Sequence, residues 1–196
     1  YTTRDRVVRV KEVLDQVGLN MSFGERYAHE LSGGQRQRIG IARALSVDPK
    51  VVILDESTSA LDVSIQKNII DLIKRLQKEK NITIGFVCHD ISLMSEISDK
   101  VAVMYLGNLV EVIPGKKLQR GCKHPYTQTL ISSVFHLNMD YSKKIENIKD
   151  EAPDPIEVQK GCAFKNRCNR SMEICKNERP QLKLVSKDHY VACHLK

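Results

Sequence analysis

The chain has 196 residues, of which 41% are apolar, 28% charged and 5% aromatic, with a formal net charge of +7. That length holds one domain with an appendage, or two small domains. The balance is that of a globular chain, and no apolar run nears the roughly 18 residues that a membrane span needs. The opening YTTRDR is polar and charged, and does not read as a secretory leader. The positive charge is scattered through helices with few aromatics between, which makes a basic surface and no platform for single strands, so no nucleic-acid partner is expected.

In chain order, RVVRVKEVLDQV (6–17) spaces Val7, Val10, Val13, Leu14 and Val17 as a helix that Gly18 stops. SGGQRQRIGIARAL (32–45) carries Ile39, Ile41, Ala42 and Leu45 on or near one face, and Asp48 and Pro49 end it. KVVILDE then reads as a strand covered on both faces, as in a parallel sheet. Ile65, Ile69, Ile73 and Leu76 make a helical stripe within 63–80, with Asp62 as its N-cap. ITIGFVC (82–88) is a second buried strand and ISLMSEIS (91–98) a short helix. KVAVMYLGNLVEVI (100–113) reads as two strands about a Gly107-Asn108 turn. The alternation of strand and helix predicts a parallel α/β sheet. After Pro114 come one more helix (124–135), a polar linker with two prolines, and a tail that holds four of the six cysteines.

Two glycines open the helix at 33, an arrangement that lets backbone N–H groups approach a phosphate. At the end of VVILDE, Asp55 and Glu56 are adjacent carboxylates. Four apolar residues followed by Asp is a Walker B pattern, whose Asp holds Mg²⁺, and the next carboxylate stands where it can take a proton from an attacking water. SALD (59–62) follows, and His89 closes the second strand at its carboxyl end, where ligands of open α/β sheets gather. No G-x-x-x-x-G-K-S/T occurs; the nearest run, GKK at 115–117, lacks the hydroxyl residue.

LSGGQRQR, VVILDESTSALD and CHD, in this order, resemble the signature motif, the Walker B strand with D-loop, and the switch histidine of the ATPase subunits of ATP-binding cassette (ABC) transporters. Ser57 departs from the family's usual proline. The resemblance implies the C-terminal part of an ABC ATPase: the remainder of the helical subdomain with the signature motif (1–47), the second half of a RecA-like parallel-sheet core (48–115), and a small cysteine-rich extension (116–196). It implies ATP and Mg²⁺ as cofactors. Asp55 would hold Mg²⁺, Glu56 would polarise the water, and His89 would contact the γ-phosphate. Asp62 would couple the two sites, and Ser32, Gly33, Gly34 and Gln35 would close over the ATP of a second ATPase subunit. With the phosphate loop absent, the chain alone is not expected to bind ATP well.

Cys162, Cys168, Cys175 and Cys193 have the spacing C-x5-C-x6-C-x17-C in a stretch with little apolar material. Such a tail needs a staple. Zinc, an iron–sulfur cluster, disulfides and free thiols all remain open on chemistry, although the C-x2–4-C knuckles usual for zinc are missing and the absence of a leader argues against a disulfide scaffold. HPYT (124–127), the linker, GC-x-F-x-x-RC and the closing VACH resemble the C-terminal extension of oligopeptide/dipeptide (and nickel) importer ATPases. That likeness implies a 4Fe-4S cluster on the four cysteines, with zinc as the alternative. It further implies two integral membrane permease subunits as partners, an extracellular or periplasmic peptide-binding protein acting indirectly, and a peripheral place on the cytoplasmic face of the membrane. A non-transport ABC protein acting on nucleic acid or the ribosome, and an inactive redox-sensing fragment, are the alternatives. Cys122 receives no role, and His194 is a spare ligand beside Cys193.

Overall fold

A computed structural model describes residues 2–58, 61–133 and 160–195. These gather into two compact units, Tyr1–His89 and Asp90–Lys196. Ser59 and Ala60 of the SALD stretch, the last two residues of the 124–135 helix and nearly all of the polar linker lie outside the described residues.

In the first unit, helix α1 (Thr3–Gln16) begins on a reciprocal cap between Thr2 and Asp5. It ends where Gly18 takes φ +72°, a conformation glycine adopts without steric cost. Helix α2 (Gly33–Leu45) leads to strand β1 (Val51–Asp55), helix α3 (Val63–Lys80) and strand β2 (Thr83–Val87). Between α2 and β1 the chain turns at Asp48, whose φ is +47°. Asp62 caps α3 as its position predicts, and Asn81 in the left-handed conformation ends that helix. Val13, Leu14, Val17, Ile41, Leu45, Ile69, Ile73 and Leu76 are buried, so most of each apolar stripe read from the sequence faces the core, whereas Val7 and Val10 of the first stripe are exposed.

β1 and β2 pair in parallel, Val51 opposite Thr83 through Asp55 opposite Val87. Burial of β1 alternates, however: Val52 and Leu54 are inside, whereas Val51 is 57% and Ile53 67% exposed. The expectation of a strand covered on both faces is therefore corrected. Among the described residues this sheet has two strands and one covered face.

The second unit contains helix α4 (Ile91–Ile97), strands β3 (Lys100–Tyr105) and β4 (Asn108–Pro114), and helices α5 (Leu118–Gly121), α6 (Pro125–Ser132) and α7 (Glu173–Asn177), and it closes with strands β5 (Lys183–Ser186) and β6 (His189–Val191). The β3–β4 turn is centred one residue earlier than predicted, on Leu106 and Gly107, both at positive φ. Two positive-φ residues give the primed turn whose twist suits a hairpin. A tight hairpin forces antiparallel pairing. The tail then adds two strands that the sequence reading missed, giving an antiparallel sheet in the order β3-β4-β6-β5. Among the described residues parallel pairing is thus confined to β1 and β2, and the fold is mixed α/β. Tyr105, Val110 and Phe164 form one core of this unit, with Tyr126, Cys162 and Cys168 packed on it. Phe164 meets Tyr105 edge-on at 5.2 Å and Tyr126 at 5.4 Å, contacts worth about 0.5–1.5 kcal/mol each beyond their buried area.

Candidate functional site

The first candidate site belongs to the first unit. Ser32 is the N-cap of α2: its hydroxyl accepts the Gln35 N–H at 3.3 Å, and the Gln35 side-chain oxygen accepts the Ser32 N–H at 3.0 Å. This box fixes the turn through Gly33 and Gly34 and aims the free N–H groups of the helix start along its axis, where an anion is favoured. A methyl group added at Gly33 would lie 3.2 Å from Leu61 Cδ2, and one at Gly34 would lie 2.9 Å from Ile65 Cγ2. The helix start therefore abuts the beginning of α3. Gly34 serves helix packing as well as any ligand, which the sequence alone did not reveal.

Asp62, one turn before Ile65, accepts the Ile65 N–H at 3.0 Å and the Ser64 hydroxyl at 2.7 Å. These bonds, the backbone one first, hold its carboxyl below the usual carboxylate range, so Asp62 is charged wherever the protein works. The signature turn and Asp62 are neighbours through Leu61 and Ile65.

Asp55 is the last residue of β1, and Glu56 follows at φ +44°. A non-glycine residue there is uncommon and costs about 1–3 kcal/mol. The Glu56 N–H is anchored on the Val87 carbonyl at 2.9 Å, which ties the turn to the end of β2. His89 lies two residues beyond that end and is exposed. Because β1 and β2 run in parallel and in register, Asp55, Glu56 and His89 share one carboxyl edge of the sheet. Two hard oxygen donors on such an edge suit Mg²⁺. Ser57, the departure from the family pattern, has a buried hydroxyl without a hydrogen-bond partner among the described residues.

The second candidate site is a pocket in the second unit. Cys162, Cys168, Cys175 and Cys193 all line it, together with His124, Pro125, Phe164, Lys165, Arg170 and His194. Gly161 makes it possible: its φ is +76°, and an added methyl group would lie 2.3 Å from the Cys175 carbonyl oxygen. That close approach lets the Cys162 N–H donate to Cys175 at 2.8 Å and draws two of the cysteines together. All four are free thiols. Burial first, then neighbouring cysteines, pushes the Cys162 and Cys168 thiols up, so a metal would have to displace their protons. Among the described residues, no three His, Cys, Asp or Glu side chains are placed as a group that could hold a metal ion, so the expected iron–sulfur or zinc centre is not matched by a formed metal-binding group. His194 is engaged with the Glu178 carbonyl at 2.9 Å. Cys122 packs against the apolar cluster of Val101, Ile113 and Leu118, and burial pushes its thiol to about 11.

Three buried polar residues escaped the sequence reading. Glu111 is fully buried on β4 and accepts the Lys123 N–H at 2.7 Å, the His124 N–H at 3.2 Å and a hydrogen bond with His189 Nε2 at 2.7 Å. His124 is the N-cap of α6, its Nδ1 accepting the Tyr126 N–H at 3.1 Å. Burial pushes this histidine down to about 4. The available signals were a glutamate inside the apolar LVEVI and a histidine directly before the helix-starting Pro125.

The chain is similar to known proteins over most of its length. The family model described as "ABC transporter" matches residues 3–59, and that described as "Oligopeptide/dipeptide transporter, C-terminal region" matches residues 110–175. The chain is 50% identical over 197 residues to the oligopeptide transport ATP-binding protein AppF of Bacillus subtilis, covering 100% of this chain and 60% of that protein. It is 43% identical over 187 residues to the oligopeptide transport ATP-binding protein OppF of Haemophilus influenzae, covering 94% and 56%. The chain thus spans about three-fifths of the length of the curated relatives it matches. Among solved structures, cbiO1 of Clostridium perfringens, part of the ABC transporter complex cbiONQ, superposes with a TM-score of 0.54 at 34% identity, over 60% of this chain and 46% of that one. The post-hydrolysis dimer of the ATP-binding cassette MJ0796 bound to ADP and Pi does so with a TM-score of 0.51 at 31% identity, over 58% and 49%.

Proposed function

We propose that this chain, a member of the oligopeptide/dipeptide ABC transporter ATP-binding family that carries the signature motif and no phosphate loop, is the part of an energy-coupling ATPase that acts on a neighbour's ATP. The observation that carries the reading is the boxed start of α2. Ser32, Gly33, Gly34 and Gln35 form an anion-binding helix terminus, and the sequence holds no lysine loop to seat a nucleotide beside it. In the complete subunit Asp55 would hold Mg²⁺, which neutralises charge on the transferred phosphoryl group. Glu56 would take the proton of the attacking water, His89 would contact the γ-phosphate, and Asp62 would relay between the two sites of an ATPase dimer. Two permease subunits at the cytoplasmic face of a membrane would convert closure into transport. Peptide or nickel selectivity would lie with those subunits and an external binding protein. No observation favours action on nucleic acid or service as an inactive redox sensor.

For the tail the reading is a 4Fe-4S cluster held by Cys162, Cys168, Cys175 and Cys193. The support is that all four thiols line one pocket, with Lys165 and Arg170 beside them to offset an anionic group. A tetrahedral zinc ion draws its four sulfurs to within about 4 Å of one another, whereas a cluster core accepts them from farther apart. When bound, a cluster supplies a redox-active anchor for the tail.

Gly34→Ala tests the main reading in the full-length protein. Turnover should fall at least tenfold while ATP binding persists. Packing is separated from phosphate contact by the double variant Gly34→Ala with Ile65→Ala, which removes the 2.9 Å clash. Turnover should stay low in the double variant; recovery to the wild-type rate would make Gly34 a packing residue and overturn the assignment.

A further inference from the structure

We infer that Ser57 is a positioning residue for the Glu56 carboxylate: its hydroxyl, stranded in this arrangement of the turn, donates to that carboxylate in the arrangement that turns ATP over. This rests on the reading of Glu56 as the general base. Two unfavourable features stand on consecutive residues of the turn. Glu56 has φ +44° without being a glycine. The Ser57 hydroxyl oxygen is buried with no hydrogen-bond partner among the described residues. A hydroxyl both donates and accepts, and an alanine methyl would fill the same space without stranding either capacity. Backbone strain of this kind persists only where the surroundings impose it, and it gathers at functional sites.

The surroundings that impose it are on both sides of Ser57. The Glu56 N–H is fixed to the Val87 carbonyl at 2.9 Å. The buried Thr58 accepts from Gln66 Nε2 at 3.4 Å, and its carbonyl accepts the Leu61 N–H at 3.3 Å. Ser57 is thus the joint between a strand end tied to β2 and a residue tied to α3. The Glu56 side chain is exposed and belongs to the adjoining residue, so hydroxyl and carboxylate meet through the torsions of these two residues alone, with both anchors kept. While water reaches the carboxylate it needs no protein donor. Covering the edge with Mg-ATP and a second subunit removes that water, and the hydroxyl then supplies a charge-assisted bond, the stronger kind. Such a bond holds the base in one orientation, which proton transfer requires.

The test uses the full-length protein and compares wild type with Ser57→Ala and Ser57→Thr. Alanine removes the stranded hydroxyl, so hydrogen exchange at the Glu56 amide, measured without nucleotide, should slow about fivefold or more. ATP turnover should nevertheless fall about tenfold with KM for ATP unchanged, because the bond to the charged base is lost. Threonine keeps a hydroxyl and should restore turnover. A residue that merely packs the turn gives the opposite sign, faster exchange together with slower turnover. Wild-type turnover in Ser57→Ala, equal loss in Ser57→Ala and Ser57→Thr, or faster exchange at the Glu56 amide in Ser57→Ala would each overturn the proposal. Wild-type turnover in Glu56→Gln would instead overturn the general-base reading, and this inference with it, whatever the Ser57 variants show.

Discussion

Replacing Glu111 by alanine should detach the tail from β4 and cost the second unit about 3–5 kcal/mol, the scale of removing one buried acceptor from three hydrogen bonds when each stranded donor costs about 1–3 kcal/mol. The Glu111 carboxyl accepts from two backbone N–H groups of the 122–126 segment and meets His189 of β6. Strand β6 joins β4 through only two residue pairs, Glu111 with Val191 and Val112 with Tyr190. The side chain therefore does much of the fastening that a longer strand would do with its backbone. Glu111→Gln retains an oxygen acceptor but turns an amide N–H toward existing donors, so its cost should be smaller, about 1–3 kcal/mol. Hydrogen exchange at the Ala192 amide, which donates to the Val110 carbonyl at 2.9 Å, reads the effect. Exchange there should accelerate by roughly 100-fold in Glu111→Ala. Unchanged protection would mean that the strand pairing alone holds the tail.

Glu56→Gln, made in the full-length protein, should lower ATP turnover by about 10²–10⁴, the span of a lost general base, while leaving Mg-ATP binding unaltered. Glutamine is nearly isosteric, and the Glu56 N–H bond to the Val87 carbonyl that anchors the left-handed turn is retained in the variant. A loss of turnover therefore reports chemistry rather than a rebuilt strand end. A parallel loss of nucleotide binding would instead make Glu56 a binding residue.

The helices were legible because local rules and tertiary burial agree in them. Ser32 and Asp62 are caps by residue type and position, and the Ile69, Ile73 and Leu76 stripe is buried as its period demands. The apolar run of β1 does not itself show that Val51 and Ile53 are exposed, since such a run says what a strand can bury and not whether anything covers it; the missing phosphate-loop strand is what predicts apolar faces left open. Strands β5 and β6 have four and three residues, too few for a period, and Asp188 turns between them at φ +59° without a glycine to mark it. At the candidate sites, motif order gave the residue types that share the carboxyl edge of β1 and β2. What it could not give was distance in space: Gly34 against Ile65, Gly161 against Cys175, and His124 beside four cysteines at least 38 residues later in the chain.

Calorimetric titration of Mg-ATP into this 196-residue chain alone, without oxygen, tests the central claim most directly. A helix start that serves only a neighbour's nucleotide predicts no measurable heat of binding, because nothing in the chain seats the β- and γ-phosphates from the lysine-loop side. Saturable, tight binding at one site would contradict the account, and would require a phosphate-binding loop within these residues.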